Sequence, residues 1–446
     1  MVIPAKTSRP GGVPRGRARS MIRQITVPPM ERLNPFLPRL VETDAETRNV
    51  VSALLADVRT RGDVAVRDAT RRFDGIELAP EEWEVPKSVW HEALDRINLT
   101  LRNALETAIT RVTEYHVRQR DQGFRLLQED GSILGMRVTP LERVGLYVPG
   151  GKACYPSTVI MNVVPAVVAG VSEIIAVTPP TGAMDAVLAA CALGGVTRLF
   201  RIGGAQAIGA LTYGTATVPR VDKIVGPGNR WVAEAKRQVA GDVGIDMIAG
   251  PTELVILADA TADPQKIAAD LVAQAEHDED AVAWCITTDT RIADALPAAL
   301  DNALAKAPRA AVARAALQRS GLLVWVPSLQ DGVAVINRRA PEHLELLVRD
   351  PEGISEEVRH AGAIFLGDSS PEPVGDYLAG PSHVLPTRGT ARYASPLGVY
   401  DFVKRTSIIG YNRSRLLNDA DHVIVLAEAE GLMGHAEAIR VRMKEK

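Results

Sequence analysis

Glu342 and His343 stand side by side in the run Ala340-Pro341-Glu342-His343-Leu344-Glu345, just beyond an expected strand VAVINR. An imidazole shuttles protons near neutrality and a neighbouring carboxylate can activate water, although residue types alone favour an exposed turn here. Gln274 and His277 come near the end of the helical run DPQKIAADLVAQAEHD. At i, i+3 they share one helix face, flanking the stripe Ile267, Leu271 and Ala275. They offer an amide oxygen and an imidazole to one ion, which suits zinc or manganese more than calcium. Spacing alone favours an ordinary surface helix, because Gln is an uncommon ligand. Asp376 and His383 lie in a loop punctuated by Gly and Pro, where backbone chemistry positions side chains. Glu430 and His435 bracket Gly431 at the start of the last helix.

Three glycine-rich segments follow strand-like runs: Tyr147-Val148-Pro149-Gly150-Gly151, Ile202-Gly203-Gly204-Ala205-Gln206 and Gly226-Pro227-Gly228-Asn229-Arg230-Trp231. The last follows VDKIV and opens the helix WVAEAKRQV. Glycines there let backbone approach a phosphate, and a helix N-terminus stabilises its charge. The third glycine of a dinucleotide fingerprint is missing, so a tight structural turn fits that segment equally well. Three such turns at successive strand ends suit a crevice for a phosphate-bearing cofactor.

The elements that must carry these residues fall into blocks. Two amphipathic helical stretches fill residues 38–120: TRNVVSALLADVRTRGDVAVRDATRRFDG, ending at a Gly, and WHEALDRINLTLRNALETAITRVTEYHVRQR, read as one long helix. A short β-like passage follows. From Val144 to Gly250, strands VGLYVP, EIIAVTPP, RLFRIGG and VDKIVGPG alternate with helices, implying a parallel sheet with ligands at its carboxyl ends. A second alternating block holds ELVILAD, AVAWCITTD, LLVWVP and AIFLG. The expected fold is α/β: two Rossmann-like parallel-sheet domains facing a cleft, with small helical N- and C-terminal extensions. The expected division is a disordered basic extension over 1–20; a first α/β domain over 21–143 and 250–395; a second, cofactor-binding domain over 144–249; and a tail over 396–446.

Bulk composition removes other classes. With 51 Lys and Arg against 54 Asp and Glu, the chain has no basic field to attract nucleic acid or anionic membrane. Aromatics, at 4%, are too few for base-stacking platforms. No apolar run reaches the roughly 20 residues that span a bilayer. Cys154, Cys191 and Cys285 form no metal or disulfide pattern, so they read as buried core residues of a cytoplasmic protein. His91, His116, His360 and His422, in charged text, read as solvated surface. The first twenty residues carry five basic and no acidic side chains and lack an apolar signal core. They read as a disordered tail, with Met21 as a possible alternative start.

From about Met21 onward the chain resembles the histidinol dehydrogenase family. The resemblance rests on GLYVPGGKACYPSTVIMN, GGAQAIGALTYGT, VGPGNRWVAEAKR, AGPTELVILAD, AADLVAQAEHD, APEHLEL, GAIFLG, VGDYLAGPSHVLPT, SPLGVYDFVKRTS and AEAEGLMGHAEAIR, in that order. It implies oxidation of L-histidinol through the aldehyde to L-histidine, with two NAD and one zinc ion per subunit, in histidine biosynthesis. By the resemblance, zinc would be held by Gln274, His277, Asp376 and His435. Substrate would touch Ser157, Thr252, His343, His383 and Glu430 besides the metal, and NAD would touch Tyr147, Gln206 and Asn229. Glu342 and His343 would be the catalytic pair. An intertwined homodimer would bring His435 and Glu430 from the other subunit. Where many members read GPSE, this chain has Gly250-Pro251-Thr252-Glu253, which keeps the hydroxyl. The same scaffold also serves relatives that oxidise other small alcohols, such as a sulfopropanediol. A zinc hydrolase would have no use for three glycine-rich strand ends, and a non-catalytic binding protein none for a Glu-His pair.

Overall fold

The structure is a computed structural model and describes residues 21–38, 44–150, 155–182 and 184–444. The basic segment 1–20 and Cys154 lie outside the described residues. Contacts divide the chain into two units: Met1–Val41, Gly250–Val374 and Leu385–Ser395 form one; Glu42–Ala249, Gly375–Val384 and Pro396–Lys446 form the other.

In the second unit, five parallel strands run in the order Arg198–Phe200, Glu173–Val177, Arg143–Tyr147, Lys223–Val225 and Gly244–Ile245. Side-chain alternation gives the sheet two buried faces. Val144, Leu146, Ile174 and Ala176 face one core, with the Leu99–Val117, Pro156–Ala169 and Asp185–Gly194 helices. Tyr147, Ile175, Val177 and Phe200 face the other, with Val51, Leu55 and Val58 of the Ala45–Arg61 helix and with the Gly204–Tyr213 helix. Each fully buried aliphatic side chain here contributes about 1.5–3 kcal/mol. Residues 42–143, expected to join the 250–395 domain, therefore pack in the cofactor-type unit, because their apolar stripes cover this sheet. Residues 396–446 belong to the same unit rather than forming a separate tail. The strand Val403–Gly410 pairs antiparallel with Ile133–Pro140, which pairs with Phe124–Leu127.

The first unit holds a six-stranded parallel sheet ordered Arg23–Thr26, Leu322–Trp325, Val282–Thr287, Glu253–Ala258, His343–Leu347 and Ala363–Leu366. Leu254, Ile256 and Cys285 face one core; Val255, Leu257, Trp284 and Ile286 face the other. The α/β class with two parallel sheets is as expected.

Three local expectations fail for physical reasons. VAVINR lies in the Leu329–Arg339 helix, not a strand, and Ser328 caps that helix by accepting the Asp331 N–H at 3.1 Å. The long helix over 90–120 is two, Lys87–Arg96 and Leu99–Val117, because Asn98 caps the second by accepting the Leu101 N–H. His116 is fully buried, 2.8 Å from Gln119 through Nδ1, and burial lowers its pKa. It belongs to the buried face of its helix, whereas His91 and His422 are exposed as expected.

Candidate active site

In the second unit, three strand ends deliver the glycine-rich turns to one cavity of about 440 Å³. Tyr147 and Gly150 follow the Arg143–Tyr147 strand. Gly204 and Gln206 open the Gly204–Tyr213 helix. Asn229 caps the Arg230–Val239 helix by accepting the N–H groups of Trp231 and Val232 at 3.0 and 3.2 Å. The Tyr147 hydroxyl accepts the Gly204 N–H at 3.1 Å, and burial pushes that phenol up to about 12, so it stays protonated. Gly226 adopts φ 102°, and a Cβ there would lie 2.3 Å from the Tyr147 carbonyl oxygen. Its N–H donates to Asp246 Oδ2 at 2.8 Å, and the Lys236 ammonium donates to its carbonyl at 3.0 Å while pairing with buried Asp246. A buried ion pair thus braces a turn that demands glycine. Two helix N-termini border this cavity, and their partial positive charge favours an anion. Tyr147, Gln206 and Asn229, singled out in the sequence, all line it.

In the first unit, the Leu329–Arg339 helix ends at Ala340 in left-handed geometry, φ 50°, and turns directly into Pro341-Glu342-His343. A non-glycine residue there stores local strain, a feature that concentrates at functional sites. Glu342 and His343 are 7% and 4% exposed, so the pair is buried and the exposed-turn reading is excluded. Glu342 Oε2 accepts from Thr252 Oγ1 at 2.9 Å and from the Glu253 N–H at 2.8 Å. His343 Nδ1 lies 3.0 Å from the Glu253 carbonyl oxygen. A carbonyl can only accept, so Nδ1 carries a proton, and Nε2 faces Glu372 Oε1 at 3.8 Å. Glu253 thereby holds both members of the pair through its backbone. Its own carboxylate pairs with buried Arg339 at 2.7 Å, and the Arg339 guanidinium lies 5.1 Å over the Trp284 ring.

The same network orients Gln274. This side chain is fully buried, and its Nε2 donates to Thr252 Oγ1 at 2.8 Å. The Thr252 proton goes to Glu342, so Thr252 must accept from Gln274, which fixes the amide orientation. Gln274 Oε1 is left with no hydrogen-bond partner among the described residues. A buried acceptor left so costs about 1–3 kcal/mol unless a cation or donor meets it. His277, exposed just past the same helix, and Glu372 bring ligand atoms within 4.8 Å of each other. Asp376, one turn along the Glu372–Tyr377 helix from Glu372, brings a carboxylate oxygen into the same range. Among the described residues this is the only His, Cys, Asp and Glu cluster in metal-ligand range. The donor types fit a divalent metal such as zinc.

Glu372 was missed in the sequence, although its four-residue spacing from Asp376 was visible. His383 Nδ1 lies 3.1 Å from the Asp376 backbone oxygen. Ser157 sits in the first turn of the Pro156–Ala169 helix. Glu430 and His435 are exposed, and His435 is outside the ligand cluster. Cys191 and Cys285 are buried, with thiols pushed up to about 12, so neither supplies a thiolate nucleophile.

The histidinol dehydrogenase family pattern matches residues 37–443. The chain belongs to the histidinol dehydrogenase family. It is 50% identical over 409 residues to histidinol dehydrogenase of Pseudomonas aeruginosa, covering 91% of this chain and 93% of that one. It is 48% identical over 395 residues to that of Oceanobacillus iheyensis, covering 88% and 92%. The crystal structure of histidinol dehydrogenase from Elizabethkingia anophelis superposes with TM-score 0.91 at 33% identity, over 96% of this chain and 99% of that one. Among the described residues, no helix is long and apolar enough to cross a membrane.

Proposed function

We propose that this dehydrogenase-family member oxidises L-histidinol through L-histidinaldehyde to L-histidine, reducing two NAD, in the last steps of histidine biosynthesis. The observation that carries this reading is the buried chain Gln274–Thr252–Glu342, which ties a candidate metal ligand to a candidate base. The glycine-lined cavity would hold NAD, which when bound would supply the hydride acceptor, and a bound zinc would supply a cation to orient the amino alcohol. Gln274, His277, Asp376 and His435 of the partner subunit are the proposed ligands, with Glu372 beside them. Ser157, Thr252, His383 and the partner's Glu430 are proposed substrate contacts.

His343 Nε2 takes the hydroxyl proton in the first oxidation, its ring held by the Glu253 carbonyl. Glu342, held through Oε2 by the Thr252 hydroxyl and the Glu253 N–H, takes a proton from the water that adds to the aldehyde. Keeping the aldehyde bound between the steps protects it from side reactions. No cysteine adduct is required.

A homodimer with shared sites is part of the proposal. Its support is the apolar surface on residues 124–134 and 408–443: Leu127, Ile409, Val425 and Leu426 are 74, 71, 63 and 65% exposed. Patches of this kind mark interaction surfaces. Buried free thiols suit a cytoplasmic location.

The deciding experiment measures NADH formed per histidinol consumed by the zinc-loaded enzyme at limiting substrate. Two NADH with histidine as product is the expected result. No turnover with NAD still bound would move the assignment to another small alcohol on this scaffold.

A further inference from the structure

Asp74 is the last residue of the Asp63–Asp74 helix and also lines the proposed cofactor cavity. Neither location suits a carboxylate without a task. A helix C-terminus carries partial negative charge and disfavours an acid. Burial raises the Asp74 pKa, so the ionised form is held at a cost. Among the described residues, no Lys, Arg or His lines the cavity to compensate it. Its hydrogen bond inside the cavity is a long one, 3.5 Å from Gln206 Nε2. A cavity that receives a pyrophosphate at two helix N-termini should avoid an anion unless that anion meets a neutral donor.

The rest of the lining says which donor. Val50, Val51, Leu54, Phe73 and Trp231 provide apolar and aromatic surface suited to a purine face. That lining suits the non-reacting, adenosine end of the dinucleotide. A ribose there offers two adjacent hydroxyls, which a carboxylate can accept together. A 2′-phosphate instead brings like charge against Asp74, with no cation among the described lining residues to receive it.

We propose that Asp74 binds the adenosine ribose diol of the cofactor and makes the site select NAD over NADP. This rests on the reading of the cavity as the NAD site. Arg71 and Arg72 precede Asp74 in its last helical turn, and neither lines the cavity.

The test is calorimetric titration of the full-length, zinc-loaded enzyme with NAD, NADP and ADP-ribose, for the native chain, Asp74→Asn, Asp74→Ser, Gln206→Ala and Trp231→Ala. The native enzyme should prefer NAD over NADP by roughly 100-fold or more, the scale of a like-charge juxtaposition. Asp74→Asn and Asp74→Ser should each narrow that ratio at least tenfold, with weaker ADP-ribose and tighter NADP. Removing an acid from a helix C-terminus should leave folding intact, which thermal melting checks. If the Asp74 variants keep the ratio while Gln206→Ala or Trp231→Ala weakens NAD, the Asp74 assignment is wrong and the cavity reading stands. If no variant moves NAD affinity, the cavity reading fails and the assignment falls with it.

Discussion

The two sheets are built alike but use opposite edges. In the second unit the candidate cofactor residues stand at the carboxyl ends of parallel strands, where helices begin. In the first, Thr252, Glu253, Glu342 and His343 stand at the amino ends, where the helices Pro264–Ala275 and Leu329–Arg339 finish. Parallel βαβ architecture makes these edges electrostatically opposite. One is ringed by helix N-termini and favours phosphate; the other is ringed by helix C-termini and favours cations. The usual carboxyl-edge rule therefore finds the first site and misses the second. The edges also differ in material. Glycine turns and largely apolar side chains line the candidate cofactor cavity, whereas a relay of polar side chains forms the candidate acid–base site.

The largest effect that would sharpen this contrast comes from the relay. His343→Asn should lower the first oxidation about 10²–10⁴-fold, the range for a lost acid–base group, with zinc content unchanged by metal analysis. In the same assay, with the aldehyde supplied separately, Glu342→Gln should harm aldehyde oxidation more than alcohol oxidation. Equal loss in both half-reactions would contradict that division of labour.

Next comes the backbone edge. Gly226→Ala places a methyl against the Tyr147 carbonyl at a positive φ. It should cost about 1–3 kcal/mol or more, seen as a lower Tm. NAD affinity should fall in titration while zinc affinity holds. Loss of zinc affinity alone would erase the distinction between the edges.

Thr252→Val removes the hydroxyl that joins Gln274 to Glu342 at nearly constant volume. The expected loss is about 1–3 kcal/mol, shared between zinc affinity and kcat, with NAD binding intact. Thr252→Ser should restore both.

The smallest expected effect is on stability. Burial, and after it the nearby Asp270 carboxyl, push buried Glu345 up to about 8, even though one oxygen accepts the Glu372 N–H at 2.7 Å. The folded state then binds a proton that the unfolded state releases near the ordinary Glu value of 4.5. Stability from this group is therefore present at low pH and lost as pH rises towards 8. Glu345→Gln should raise Tm by a few degrees at pH 8, and the gain should vanish below pH 5.

The glycine-rich edge was legible because each of its parts is local. Tyr147, Gln206 and Asn229 each sit within a few residues of a strand–turn–helix junction, and period and turn chemistry reveal such junctions. VAVINR was misread because its β-branched residues alternate as in a strand. The Ser328 cap and the apolar spacing Leu329, Val333 and Ile336 carried the truer signal. His116 was misplaced because charged neighbours in a helix say little about a residue on its inner face. Glu372 went unseen because a carboxylate four residues from Asp376 gains meaning only beside His277.

Residue order alone sufficed for the α/β class, the glycine turns, the candidate pair Glu342 and His343, and the family. All of these depend on neighbours in the chain or on a linear pattern. Tertiary structure decided that this pair is buried, that Glu253 holds both members, and that Gln274 presents its oxygen while its nitrogen is engaged. It also decided that residues 42–143 cover the cofactor-type sheet. The hydrogen bonds from Thr252 and Glu253 to Glu342 join residues 90 and 89 positions apart. No local propensity encodes them; they exist because adjacent parallel strands bring Glu253 and His343 to the same edge.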